Sequence, residues 1–167
     1  DWYDEDYIIR PMEKAGCMGV PVFLNFEHGH ADPELLSRYA RHATICQAVT
    51  DNAQLGDNAV EVAGHLLDIG VSLALVTMAK NGCLAVSREE SIRTYAPKVD
   101  VVDATGAGAT FSAGFIYGQM QGWGLKDKVE FAVAAASLKC TVVGPCAFPV
   151  DQILGLTAGL KTHCGVV

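Results

Sequence analysis

The sequence predicts an α/β domain, a parallel or mostly parallel sheet with helices on its faces. Three observations predict it. Short β-branched or aliphatic runs alternate with longer segments of helical period, the order found where a parallel sheet is covered on both faces. Half of the 167 residues are apolar, enough for one ordinary domain with a real core. No internal repeat, low-complexity tract or linker rich in Pro, Ser or Gly interrupts the chain, so residues 1–167 read as a single domain.

The segment before Gly16 is polar and aromatic, but Tyr7, Ile8, Pro11, Met12 and Ala15 recur at helical spacing and predict a short helix. It leads into a first strand at 20–25. A domain of this class ordinarily opens on a strand, so this start suits a chain that begins within a larger fold. A helix is predicted at 33–41, where Asp32 is a good N-cap and Pro33 a good first-turn residue. A strand at 45–49 is followed by a helix at 52–69, which carries Val60, Ala63, Leu66 and Leu67 on one face and stops at Gly70. Next come a strand at 72–77 and two short strands, 83–86 and 92–95. These two are joined by the polar stretch SREES and read as an antiparallel hairpin. Helices at 107–120, with Phe111, Phe115, Ile116 and Met120 as its apolar side, and at 126–142 complete the pattern.

Composition excludes several functions. Lys+Arg number 12 against Asp+Glu 19, a net charge of −7, so neither a nucleic-acid partner nor an anionic membrane is expected. A protein of this charge binds phosphate locally, through backbone amides and helix ends. The longest apolar stretches, 69–78 and 129–143, are broken by polar or glycine residues, so no membrane span is expected. The start DWYDEDYIIR lacks the basic and apolar regions of a secretory signal, and the expected location is the cytoplasm. Six cysteines (17, 46, 83, 140, 146 and 164) lie at wide, irregular spacings with no CxxC pair and no zinc pattern. They read mostly as reduced, buried, small apolar residues. Trp2, Tyr3 and Tyr7 suggest an exposed apolar surface. His28 and His30 form an H-x-H pair beside Glu27 without a third ligand at a recognisable spacing, and read as a solvated loop rather than a metal site.

The strongest local signal is VDVVDATGAGATFSAGFIYGQM at 99–120. An apolar run ends at Asp103, a small-residue loop follows, and an amphipathic helix begins. Glycines let the backbone turn and bring several N–H groups to a ligand, and the helix adds its positive end, so the segment predicts an anion site. No Lys-Ser or Lys-Thr follows the glycines, which excludes a Walker A loop. The third glycine of a dinucleotide fingerprint is missing and the turn comes late in the chain, which disfavours a dehydrogenase.

The run D-A-T-G-A-G-A at 103–109 closely resembles the D-T-x-G-A-G-D signature of the PfkB, or ribokinase-like, carbohydrate kinases. Val76-Thr77-Met78-Ala79-Lys80-Asn81-Gly82 resembles their V-T-x-G-x-x-G strand and turn. Phe131 to Ser137, followed by Lys139-Cys140-Thr141 and Gly144, is similar to their C-terminal helix and the loop after it. The resemblance implies a three-layer α/β/α sandwich, Rossmann-like, of which this chain covers roughly the C-terminal, nucleotide-binding half. It implies transfer of the γ-phosphoryl group of ATP to a sugar or sugar-like hydroxyl, with Mg²⁺ and often a monovalent cation such as K⁺. By the same resemblance Gly106, Ala107 and Gly108 form the anion hole, and Thr77 and Gly82 line the phosphates and ribose. Ala136 and Cys140 flank the adenine, and Asp103, Thr105 and Gly144 match a monovalent-cation site. Asn25 and Glu27 would lie near the rim. The missing half would carry the sugar contacts, so the chain is expected to pair with it or to self-associate as a homo-oligomer through an uncovered sheet edge.

Three positions depart from the family pattern. Ala109 stands where the family has the aspartate that takes the proton from the sugar hydroxyl, and alanine accepts no proton. Ala79 replaces the middle glycine of T-x-G. The family's N-x-x-E motif is not intact in Val49-Thr50-Asp51-Asn52-Ala53-Gln54, where Asp51 is the remaining acid for a Mg²⁺ shell. Two readings follow: a carbohydrate kinase impaired as written, or a non-catalytic nucleotide or sugar-phosphate binding module.

Overall fold

The computed structural model describes residues 6–50 and 59–166. In chain order the elements are α1 (Ile9–Cys17), β1 (Phe23–Glu27), α2 (Pro33–Tyr39), β2 (Ile45–Val49), α3 (Ala59–Ile69), β3 (Leu73–Thr77), β4 (Cys83–Ser87), β5 (Glu90–Thr94), α4 (Ala107–Met120), α5 (Leu125–Lys139), α6 (Val150–Thr157) and β6 (Thr162–Val166). The strands follow one another in the sheet in the order β1-β2-β3-β4-β5-β6. β1 pairs with β2 and β2 with β3 in parallel, Ile45 standing opposite both Phe23 and Leu73. The predicted α/β class, parallel in its first three strands, is what forms.

The described residues fall into two compact units. The first takes in residues 6–50, 59–78, 84–91 and 166. Its core joins Leu24 and Phe26 of β1, Leu36 and Tyr39 of α2, Cys46 and Ala48 of β2, Val62, Ala63 and Leu66 of α3, and Ala74 and Val76 of β3. β2 is buried along nearly its whole length, Gln47 included, as expected of a parallel strand covered on both faces. α2 starts as expected: the Asp32 carboxylate accepts from Glu34 N at 2.8 Å and Leu35 N at 3.4 Å. β4 and β5 are joined by Arg88 and Glu89 alone. The Ser87 hydroxyl accepts from Glu89 N at 3.2 Å and Glu90 N at 3.1 Å, which closes the predicted hairpin.

The second unit takes in residues 79–83 and 92–165. Phe131, Ala134 and Ala135 of α5 and Ile153 of α6 form its core with Tyr117, Trp123, Leu138 and Phe148. Tyr117 stacks on Phe131 with ring centres 5.4 Å apart, and Trp123 meets Phe131 edge-on at 5.2 Å.

Several expectations need correction. The first strand lies at Phe23–Glu27, later than the predicted 20–25, because residues 18–22 leave α1 through a turn at Gly19. Of the predicted helix 52–69, residues 59–69 are helical and 52–58 lie outside the described residues. Val60 is 66% exposed; the buried face of α3 runs through Ala59, Val62, Ala63 and Leu66. Ile116 and Met120 are exposed as well, so α4 is buried through Phe111, Ser112, Gly114, Phe115 and Gly118, small residues and two aromatics. All six cysteines are free. Cys46 and Cys83 are buried and Cys140 is half-buried, but Cys17, Cys146 and Cys164 are exposed, so burial is not their common role. Burial pushes the Cys46 thiol up to about 12, which keeps it protonated and inert. Tyr7 is exposed as expected, while Trp2 and Tyr3 lie outside the described residues.

Candidate active site

The turn that carries the predicted anion site lies wholly in the second unit. Gly106 caps α4 with φ +82 and ψ +3, a left-handed conformation that glycine adopts at little cost and other residues do not. It points the chain from the Asp103 loop into a 14-residue helix whose first residues are Ala107, Gly108 and Ala109. Thr105, Gly106, Gly108 and Ala109 are exposed. The Ala107 N–H donates to Ala104 O at 3.1 Å, so this expected donor already has a partner; the Gly106 carbonyl accepts from Thr110 N at 2.9 Å. The Thr110 hydroxyl also donates to Gly106 O, at 2.9 Å.

Asp103 ties this turn to the loop after α5. One carboxylate oxygen accepts from Thr105 N at 2.9 Å and the other from Gly144 N at 3.3 Å. Gly144 itself adopts φ +74. The Cys140 carbonyl accepts from Val102 N at 2.8 Å and Asp103 N at 3.1 Å, a second seam between the same two segments. The Thr105 N–H, then the Thr105 hydroxyl and the Gly144 N–H, favour the ionised form of Asp103 and, with Lys139, hold its carboxyl at about 2, below the ordinary 3.8. Because the folded value is depressed, the ionised group stabilises the fold above pH 3.8, and that contribution is lost as pH falls through about 2. In urea unfolding from about pH 5 to about pH 2, the stability gap between this chain and an Asp103→Asn variant should narrow as pH falls; a gap that widens would contradict the geometry.

Lys139 was not singled out from the sequence and is the central side chain of the network. It is 3% exposed at the last position of α5. Its ammonium donates to Asp103 O at 3.2 Å and to Val142 O at 3.2 Å, and lies 3.8 Å from an Asp103 carboxylate oxygen. The signal was present: Lys139 follows Ala132 by seven residues and Ala135 by four, which places it on the buried face of α5.

The other predicted residues divide between the two units. Ala79, at φ +46, opens the short turn Ala79–Asn81, in the left-handed region where the family pattern has glycine. Gly82, at φ +84, is buried against the backbone at Thr94, Tyr95 and Ala96. Ala136 and Cys140 are half-buried at the end of α5; burial pushes the Cys140 thiol up, with smaller opposing effects from Lys139 and Asp103. Thr77 belongs to the first unit, where its hydroxyl donates to Ala48 O at 3.2 Å and its carbonyl accepts from Thr50 N at 2.9 Å, pinning β3 to β2. The structure thus gathers Asp103, Thr105, Gly106, Cys140 and Gly144 around Lys139, and sets Thr77 in a separate unit.

The neighbourhood of His28 and His30 is a short turn at His28–Ala31, where the His30 ring N–H donates to Glu27 O at 2.9 Å. Glu27 has φ +50, a strained value at the end of β1. Among the described residues no group of three His, Cys, Asp or Glu could hold a metal ion, and no helix is long and apolar enough to cross a membrane. Asp51, the acid expected near Mg²⁺, lies outside the described residues.

The pattern of the pfkB family of carbohydrate kinases matches residues 40–152, which include the whole turn and its supporting loop. The ATP-dependent 6-phosphofructokinase of Thermoanaerobacterium thermosaccharolyticum is 31% identical over 122 residues, 71% of this chain and 38% of that protein. The 5-dehydro-2-deoxygluconokinase of Geobacillus thermodenitrificans is 30% identical, over 88% of this chain and 50% of its own length. The chain spans half or less of the length of these relatives. Among solved structures, Arabidopsis thaliana ribokinase complexed with ribose and ATP superposes with a TM-score of 0.75 at 24% identity, over 92% of this chain and 53% of that one. That likeness shows the fold, a partial ribokinase-like α/β fold. With the family pattern spanning both the turn at Gly106 and the loop at Gly144, the chain belongs to the pfkB family of carbohydrate kinases.

Proposed function

We propose that this chain is the nucleotide side of an ATP-dependent carbohydrate kinase, which transfers the γ-phosphoryl group to a sugar or sugar-like hydroxyl. The observation that carries this reading is the exposed left-handed turn at Gly106, opening a 14-residue helix within the family's own sequence pattern. Amides and a helix end aimed at one point stabilise the charge that grows on phosphoryl oxygens during transfer. The anion hole is Gly106, Ala107 and Gly108, with the Ala107 amide shared with Ala104 O. Asp103 does not repel a triphosphate here, because its charge is met by Thr105, Gly144 and Lys139. On the family resemblance Thr77, Ala79 and Gly82 are assigned to the phosphates and ribose, and Ala136 and Cys140 to the adenine. Mg²⁺ bound with the triphosphate would supply charge neutralisation.

The sugar contacts are assigned to residues outside this chain, supplied by the rest of a longer protein or by a second copy acting as a homo-oligomer, in the cytoplasm. Ala109 impairs the chemistry as written. A second reading, a non-catalytic nucleotide or sugar-phosphate binding module, is favoured by that same alanine. Phosphoryl transfer from ATP to a panel of sugars, with the sugar-binding residues supplied and Ala109→Asp beside the unchanged sequence, tests the two readings.

A further inference from the structure

The family resemblance implies a monovalent cation held by Asp103, Thr105 and the loop at Gly144. The residues present do not fit such an ion, because its place is filled. Asp103 O, Val142 O and an Asp103 carboxylate oxygen converge on one atom, the Lys139 ammonium nitrogen, at 3.2, 3.2 and 3.8 Å. The lysine side chain is 3% exposed and that of Asp103 25%, so the ammonium is buried in the contact rather than held in an exposed surface ion pair.

We propose that Lys139 is a positioning residue whose tethered ammonium takes the place of the monovalent cation, so that the turn at Gly106 is held in its binding form without K⁺. An ammonium is a compact single positive charge with three donors, here facing three oxygens from two different loops. It sits at the last residue of the 15-residue α5, where the helix dipole favours positive charge. A Cβ built on Gly106 would lie 3.8 Å from Lys139 Cε, so the lysine stem runs directly beside the turn. A second cation at this place would have to displace the ammonium or share its oxygens with a like charge. That the held turn serves a nucleotide rests on the function proposed above; that the ammonium replaces the ion does not.

Thermal unfolding of the full chain in potassium chloride and in tetramethylammonium chloride, at equal ionic strength and without nucleotide, tests the substitution directly. The unchanged chain should have the same Tm in both salts. Lys139→Ala, which leaves the oxygens without their donor, should melt lower in tetramethylammonium. It should recover saturably with K⁺, by roughly 5–10 °C at a hundredfold excess over the dissociation constant. A lysine with only a packing role would give no such salt-specific recovery. A saturable rise of Tm with K⁺ in the unchanged chain would overturn the proposal, and so would an alanine variant indifferent to K⁺. Should that variant fail to fold, the unchanged chain decides alone, since its response to K⁺ is measured without any substitution. ATP failing to bind in either salt would count against the nucleotide reading and leave the salt comparison standing.

Discussion

With the sugar-binding residues supplied, replacing Ala109 by aspartate is expected to raise phosphoryl transfer to a sugar acceptor by about 10²–10⁴-fold, the range a positioned general base supplies. The variant should fold. Ala109 is the third residue of α4, exposed, in a first turn that carries no acidic residue. A carboxylate there meets the positive end of the helix, a gain of about 0.3–1 kcal/mol that offsets the lower helix propensity of aspartate. ADP release measured across a panel of sugars checks the rate, and urea unfolding checks the fold. A rise confined to one acceptor would identify the substrate class. No turnover in either form, with ATP still bound and the sugar-binding residues supplied, would favour the binding-module reading.

The second large effect concerns stability. Gly82→Ala should destabilise the chain by about 3–5 kcal/mol, combining left-handed strain with a clash against atoms that cannot yield. Gly82 has φ +84, and a Cβ there would run into Thr94 O and sit 2.7 Å from Ala96 N and 2.9 Å from Tyr95 Cα, all main-chain atoms. Gly64→Ala is the control. It lies within α3, a Cβ there meets nothing within 4 Å, and the change should stabilise by about 0.5–1 kcal/mol. Urea unfolding of the two variants should separate them in opposite directions. A loss below about 1 kcal/mol at Gly82 would mean that the turn rearranges, and that its glycine serves the ligand rather than the packing of β5.

How much was legible follows from the physics of each element. β2 and β3 could be read because strands buried on both faces are mostly apolar, with Gln47 the one polar residue inside β2, and α2 because Asp32 and Pro33 mark a start that does not depend on distant contacts. β6 could not be read: its residues are almost all exposed, so neither alternation nor an apolar run marks it. α6 was missed for its length, eight residues after Pro149, too short for a periodic signal. Val60 and Ile116 read as buried because both are aliphatic, whereas α3 buries Ala59 and Ala63 beside Val62 and Leu66, and α4 buries Ser112, Gly114 and Gly118 beside its two phenylalanines, small residues that hydrophobicity counts undervalue. The turn at Gly106 was legible because glycine and the helix start leave local marks. The burial of Lys139 was legible from its place on α5, but its role was not, since that depends on carbonyls at positions 103 and 142 that only the fold brings to it.

The central claim is that the turn at Gly106 holds the terminal phosphate of a nucleotide. It is tested most directly by following the backbone amide resonances of Gly106, Ala107 and Gly108 in ¹⁵N-labelled chain as ATP is added, with adenosine as the comparison. The account predicts saturable shifts of these amides with ATP and little movement with adenosine. ATP binding detected by calorimetry while these three resonances stay unmoved would contradict it.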